Sequence, residues 1–206
     1  MTLTLYVSPG ACSLASHIAL REAGAEFDLR IMDFKSAQQR QPDYLALNPK
    51  GRVPALATDR GVLTETPAIL LWIAQTYPDA GLIPQDPWDL AKVQELNAFI
   101  CATLHVNHAH KMRGSRWADR PESHADMAAK VPETVAASFD HIERNVFQGP
   151  WVMGERFGIA DAYLFTVARW IERDDIDPAR FPKVIAHRER MEARPAVKAA
   201  LDAEAG

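Results

Sequence analysis

The first part of the chain alternates apolar and polar positions in short segments. In residues 2–7 every second residue is apolar, which is typical of a strand with one buried face. Pro9-Gly10 then marks a turn, and apolar residues at helical spacing run from Leu14 toward Gly24, a suitable helix terminator. Residues 26–32 alternate again, with Phe27, Leu29 and Ile31 on one face. The pattern therefore predicts a strand, a helix and a second strand.

A hairpin and a helix are predicted next. Residues 54–58 and 62–64 flank the short turn Asp59-Arg60-Gly61, which indicates two antiparallel strands. Thr66 suits the N-cap of the following helix and Pro67 its first position. Strands and helices in this order predict a small α/β layer rather than a helical bundle.

The pattern changes after Tyr77. Three prolines lie in a segment with little hydrophobic periodicity, which indicates a linker. Beyond this segment only helical periodicity remains. The predicted helices cover residues 88–110, 122–145 with a kink at Pro132, 159–172, 182–194, and 195 onward. We therefore expect an α/β domain over residues 1–79, a linker over 80–87 and an all-helical domain over 88–206.

Composition narrows the class of protein. Hydrophobic residues make up 48% and charged residues 24% of 206 positions, as in soluble globular proteins. The net charge of −4 gives no reason to expect a nucleic-acid partner. Neither a membrane span nor a secretory signal is predicted. Cys12 and Cys101 are far apart in sequence, so no disulfide framework is expected and a reducing cytoplasm is the predicted location.

Cys12 is the first candidate for chemistry. It falls where the first helix begins, where unpaired N–H groups and the helix dipole favour a thiolate, so we predict that its pKa is lowered. The alternative is a small apolar residue filling the turn. Ala15 stands where a dithiol motif would have its second cysteine, which argues against a dithiol redox cycle. A single activated thiol can still form a mixed disulfide.

Two further segments suit a peptide-like ligand. Pro54 opens a predicted strand, and a cis bond after Val53 would leave the Val53 N–H and C=O free to pair with an extended ligand. A trans proline on an edge strand is the alternative. At the next helix, the N-terminus at Thr66 can hold a carboxylate and Glu65 can hold an ammonium group. A plain N-cap with an incidental acid is the alternative there.

The long predicted helix carries a polar stripe. Its members lie at positions i, i+4, i+8 and i+11, and they are Asn97, Cys101, His105 and His108. The stripe could face a cleft beside Cys12 or be a solvated face. A zinc site is disfavoured because no fourth ligand is evident. The cluster that follows, Arg113, Arg116, Trp117 and Arg120, either lines an anionic pocket or covers the surface.

Together these segments resemble the glutathione transferases, most closely the bacterial beta class. The resemblance rests on residues 9–17, on residues 48–56, on Glu65-Thr66 and on residues 159–166. It implies a thioredoxin-like N-terminal domain followed by an all-helical C-terminal domain. It also implies a homodimer that conjugates glutathione, its cosubstrate, to small electrophiles in detoxification, without a metal.

The resemblance also implies roles for single residues. Cys12 and His105 would lie beside the glutathione sulfur as the catalytic residues. Val53 would pair with the cysteinyl part, and Glu65 with Thr66 would hold the γ-glutamyl end. The implied glutathione contacts are Cys12, Lys35, Val53, Pro54, Glu65, Thr66 and His105. The implied electrophile pocket contains His108, Met112, Arg113 and Trp117.

The chain departs from the family pattern at several positions. Val106 stands where a lysine usually follows the histidine, and Asn97 is one residue too far from His105 to match the family's asparagine without a gap. His108 or His110 could therefore share or replace the role of His105. Lys35 is closer to Cys12 than the family's lysine is. Gly158 caps the helix of the C-terminal motif in place of serine or threonine, and Asp161 at the third helical position is predicted to bond back toward Gly158.

Two alternatives to conjugation remain open. Cys12 could act covalently in a glutathione-dependent thiol–disulfide oxidoreductase or peroxidase. The scaffold could also serve as a non-catalytic ligand-binding protein, since fold alone does not fix function.

Overall fold

The computed structural model describes residues 2–205. A four-stranded sheet contains β1 (Thr4–Val7), β2 (Asp28–Ile31), β3 (Ala55–Thr58) and β4 (Gly61–Thr64). The strand order is β2-β1-β3-β4, with β1 parallel to β2 and β3 antiparallel to both of its neighbours. The predicted strands and hairpin are thereby confirmed.

Three helices belong to the sheet region, α1 (Ser13–Glu22), α2 (Pro42–Leu47) and α3 (Thr66–Thr76). Helix α1 ends next to Gly24, whose φ of +64° is the left-handed conformation that glycine adopts readily. The sequence places Phe27, Leu29 and Ile31 on one face of the second strand. Phe27 and Leu29 are partly buried, but Ile31 is 43% exposed. The reason is that β2 is an edge strand.

The remaining chain contains no β-strand up to residue 205, and the predicted α/β and all-helical fold class is confirmed. Its helices are α4 (Pro87–Phe99), α5 (His105–Arg113), α6 (Pro121–His141), α7 (Ile159–Ala168), α8 (Pro182–Glu192) and α9 (Pro195–Ala205). Every residue of α7 is buried, which makes it the central helix of this part. None of the helices within residues 2–205 combines the length and apolarity that crossing a membrane requires.

Two predicted long helices are interrupted by π-helical segments. The helix expected over 88–110 consists of α4, a π segment at Ile100–Leu104, and α5. Helix α6, which includes Pro132, continues into a π segment at Ile142–Val146. A π turn holds an extra residue, so side chains after it are rotated relative to the α-helical register.

The N-terminus of α7 ties the linker region to the helical part. Asp161 accepts hydrogen bonds from the N–H groups of Gly158 (2.8 Å) and Val152 (2.8 Å), which confirms the predicted back-bond to Gly158. The N–H of Ile159 donates to the carbonyl of Leu82 (3.0 Å). A Cβ at position 158 would lie 2.9 Å from that carbonyl oxygen, so the close approach explains the glycine.

Candidate active site

A cleft lies between the sheet region and the helical part. One wall is built from the turn before α1, the loop before β3 and the start of α3. The opposite wall is built from the π segment, α5, the turn after α5, and two aromatic side chains, Tyr163 and Trp170. The Trp170 Nε1–H donates to the carbonyl of Gly10 (3.1 Å), which holds the turn before α1 against the helical wall.

Cys12 lies in this cleft at the N-cap of α1, as predicted. Its S–H donates a long hydrogen bond to the Val53 carbonyl (3.5 Å). The prediction that its pKa is lowered is wrong: burial raises the pKa of Cys12 to about 11, and the Thr66 hydroxyl and Arg113 offset burial only in part. The side chain is therefore a thiol at neutral pH, because the desolvation of a thiolate outweighs the helix dipole.

The Val53–Pro54 peptide bond is cis, which decides between the cis and trans alternatives that the sequence left open. No main-chain hydrogen bond within residues 2–205 involves the N–H or C=O of Val53, apart from the Cys12 contact at its oxygen. The preceding carbonyl, of Arg52, accepts from the Tyr44 hydroxyl and the Asn48 amide at 2.7 Å each. The segment is thus held in place by its neighbour while the main chain of Val53 is free for a ligand.

Glu65 and Thr66 form the adjoining corner. Helix α3 begins at Thr66 and its N-cap is Glu65, one residue before the predicted cap. Glu65 has a φ of +73°, a region that residues other than glycine rarely adopt and that is concentrated at functional sites. Lys50 donates to the Glu65 carboxylate (2.5 Å) and to the Thr64 hydroxyl (2.6 Å). Lys50 therefore orients Glu65.

The structure distinguishes the three histidines of α5. His105 and His108 line the cleft, whereas His110 packs on Trp117 at 4.3 Å between ring centroids and does not line it. No hydrogen bond to another described residue engages either ring nitrogen of His105. Burial, then the positive potential of His108 and nearby arginines, lowers the pKa of His105 to about 4, so the ring is neutral at pH 7. His105 is therefore available to a ligand as a neutral imidazole.

The polar stripe is only partly in the cleft. Cys101, His105 and His108 line it, but Asn97 is fully buried outside it, because the π segment intervenes. Cys101 contacts the Tyr163 hydroxyl, and burial raises the pKa of both groups. Among residues 2–205 no three side chains of His, Cys, Asp or Glu are grouped to hold a metal ion.

Two predicted contacts lie elsewhere. Lys35 is exposed outside the cleft lining, in a turn where its N–H donates to the Asp33 carboxylate (2.8 Å). Met112 is 86% exposed and points away from the cleft, whereas its neighbours Arg113 and Trp117 line it. Neither position is therefore placed to meet a ligand in this cleft.

Sequence reasoning missed several cleft residues, which are Arg40, Lys50, Arg52, Tyr163 and Trp170. Lys50 and Arg52 lie inside the segment of residues 48–56, so their proximity to Val53 was a usable signal. The helical periodicity of the sequence predicts Tyr163 and Trp170 as core residues. It cannot distinguish a buried aromatic side chain that also lines a cleft from one that does not.

Comparisons with known proteins agree with this geometry. Residues 1–75 match the model of the glutathione S-transferase N-terminal domain and residues 96–195 that of the C-terminal domain. The chain is 37% identical over 205 residues to the glutathione S-transferase GstA of Escherichia coli O157:H7, covering 98% of each chain.

Solved structures give the same result. A glutathione transferase homologue from Sulfitobacter, determined with bound glutathione, superposes with a TM-score of 0.96 at 47% identity, covering 98% of both chains. A beta-class glutathione S-transferase from Sphingomonas chungbukensis superposes with a TM-score of 0.84 at 35% identity and 98% coverage of both. With both domain models matched and relatives aligned over nearly its whole length, the chain belongs to the glutathione S-transferase family.

Proposed function

We propose that the cleft binds glutathione in an extended conformation and directs its thiolate at a small electrophile. The observation that carries this proposal is the main chain of Val53 beside the N-terminus of α3. Among residues 2–205 its N–H has no partner, and its C=O accepts only the long contact from Cys12. A peptide that pairs with Val53 places its cysteinyl residue next to Cys12 and one end at Glu65 and Thr66.

The γ-glutamyl end fits the corner at α3. Its α-carboxylate would accept from the Thr66 hydroxyl and from N–H groups at the helix start, where the dipole favours an anion. Its ammonium group would meet the Glu65 carboxylate, which Lys50 already holds by one oxygen. Glu65 is exposed enough to accept a second cation.

The glutathione sulfur would lie between Cys12 and His105. Because the Cys12 pKa of about 11 keeps that side chain protonated, its S–H can donate to a thiolate instead of repelling it. His105, neutral with a pKa of about 4, can donate from one ring N–H. Two donors stabilise the anionic form of the cosubstrate, so the reacting sulfur is that of glutathione.

A second candidate function, thiol–disulfide exchange through Cys12, is favoured by its position in the cleft beside the free Val53 main chain. The burial of Cys12 argues against this second function, because it raises the pKa of Cys12 and exchange requires the Cys12 thiolate. We therefore place conjugation first.

We also propose a homodimer in the cytoplasm. Val62 on β4 is 41% exposed and Trp88 at the start of α4 is 73% exposed, and a second copy could cover such apolar side chains. Both cysteines are free, which suits a reducing compartment. Sedimentation equilibrium of the wild type and of Trp88→Glu tests the dimer.

Calorimetric titration with glutathione tests the binding mode. We expect saturation for the wild type and about tenfold weaker binding for Glu65→Gln, since an ion pair to the ammonium is lost. The matched ligand is the deamino analogue, glutaryl-cysteinyl-glycine, for which Glu65→Gln and wild type should bind equally. Glu155→Gln, an exposed glutamate remote from the cleft, is the control variant. No saturation with glutathione would overturn the proposal.

A further inference from the structure

The cleft is strongly cationic although the whole chain is not. Five of its lining residues are lysine or arginine and one, Glu65, is acidic, while the net charge of the chain is −4. Lys50 is paired with Glu65. The remaining cations, which we call the arginine cluster, are Arg40, Arg52, Arg113 and Arg116.

No carboxylate among residues 2–205 lies within ion-pair distance of the arginine cluster, although other arginines of the chain form such pairs. Three of the guanidinium groups act electrostatically on the fourth, that of Arg116. The pKa of Arg116 is lowered to about 10, by burial first and then by the charges of Arg113, Arg52 and Arg40. Like charges held together without counterions indicate a site for an anion.

Glutathione accounts for only part of this charge, an argument that rests on the proposed function. Its glutamyl carboxylate is served by the start of α3, and its glycyl carboxylate needs one cation. Arg40 and Arg52 lie on the same wall as Val53 and can serve that end. Arg113 ends α5 and Arg116 lies in the turn after it, on the opposite wall. With both glutathione carboxylates assigned to other groups, Arg113 and Arg116 have no carboxylate of glutathione to bind.

The surroundings of the remaining pair suit an amphiphilic molecule. Val106, Ala109 and the half-exposed ring of Trp117 line the same wall as Arg113 and Arg116. An apolar or aromatic body would pack there, while a planar anion would meet the guanidinium groups. Arginine presents paired donors that match the two oxygens of a carboxylate.

We propose that the electrophilic substrate of this transferase carries a carboxylate, which Arg113 and Arg116 recognise on the helical wall of the cleft. The glutathione sulfur attacks the electrophilic carbon between the two walls. With an aryl chloride as the model electrophile, a carbon–sulfur bond forms, chloride leaves with the bonding electron pair, and the thiol proton passes to water.

The test compares 4-chloro-3-nitrobenzoate with 4-chloro-3-nitrobenzamide, which share a leaving group and differ in charge. We expect the ratio of their kcat/KM values, each corrected for its uncatalysed rate, to favour the carboxylate about tenfold. Arg113→Gln with Arg116→Gln should abolish this preference. Arg120→Gln removes an exposed arginine outside the cleft lining and is the matched control.

Two outcomes would overturn the inference. One is a carboxylate-to-amide ratio that is the same in the double variant and the wild type. The other is a loss of carboxylate activity fully matched by weaker glutathione binding, which would assign the pair to the glycyl carboxylate instead.

Direct binding separates this inference from the proposed function. The unreactive probe 3-nitrobenzoate, followed by calorimetry without glutathione, should bind the wild type at least tenfold more tightly than the double variant. Failure of glutathione to bind would overturn the proposed function and leave this result standing. Equal binding of 3-nitrobenzoate to wild type and double variant would overturn the inference.

Discussion

His108 and Asp174 are joined across the helical wall of the cleft. The Nδ1 atom of His108 lies 2.7 Å and 2.9 Å from the two carboxylate oxygens of Asp174, which is fully buried. Since a carboxylate only accepts, Nδ1 carries a proton and donates it. The ring stacks on Trp170 at 4.2 Å and 18°, so the pair also supports the aromatic side chain that contacts Gly10.

Replacing Asp174 should destabilise the protein. In Asp174→Ala the His108 Nδ1–H loses its buried acceptor, which costs about 1–3 kcal/mol in the free energy of unfolding. Urea unfolding followed by tryptophan fluorescence measures this. The control is Asp175→Asn, which breaks only an ion pair with Lys111 at a carboxylate that is 73% exposed, worth about 0–1 kcal/mol. Equal midpoints for the two variants would contradict a structural role for the His108–Asp174 pair.

His105 should set the pH at which conjugation begins. Because His105 stays neutral down to a pH of about 4, its N–H is available to the glutathione thiolate throughout the neutral range. His105→Ala removes that donor, so the apparent pKa of the bound thiol should rise and the rate profile should shift to higher pH. Thiolate absorbance near 240 nm gives the shift directly. His110→Ala should leave the profile in place, and a shift in that variant instead would reassign the role.

The fold was largely predictable because each element carries a local signal. Alternation marked the strands, Thr66-Pro67 located the start of α3 within one residue, and Asp161 indicated the bond to Gly158. The properties of the site were less predictable where contacts between distant segments determine them. The Cys12 pKa depends on burial by distant segments, which overrides the local helix dipole.

The hydrogen-bond partners of polar side chains in the site were equally difficult to predict from the sequence. Lys50 meets Glu65 only because β3 and β4 fold back as a hairpin, and His108 meets Asp174 across 66 positions. The π segment before α5 has no evident signature in the sequence, and it removes Asn97 from the polar stripe. Lys35 and Met112 were assigned by resemblance, and the turn at Asp33 and the outward face of α5 place them outside the cleft.

Cys12 should react slowly until the solution is strongly basic. Only the thiolate reacts with iodoacetamide, and its fraction rises about tenfold per pH unit below the Cys12 pKa of about 11. The rate of Cys12 alkylation, measured in Cys101→Ser, should therefore still be increasing at pH 10. A plateau near pH 7 would instead show an activated cysteine.

The reacting sulfur in the proposed function is that of glutathione. Cys12→Ala should therefore retain much of the conjugation activity and lose mixed-disulfide formation with glutathione.

Asp161 should contribute more to stability than any exposed cap of this fold. Its carboxylate is 1% exposed and accepts from Val152 and Gly158, while the Nε2 of His187 lies 2.9 Å from it. Asp161→Ala leaves two buried groups, the Val152 N–H and the His187 ring, and the partly buried Gly158 N–H without this partner, which should cost about 3–5 kcal/mol. The matched control is Asp86→Ala at the exposed N-cap of α4, where two N–H bonds are replaced by water at about 0.5–2 kcal/mol. Urea midpoints measure both variants, and a loss at Asp161 no larger than that at Asp86 would contradict the stabilising role of the buried Asp161 carboxylate at the start of α7.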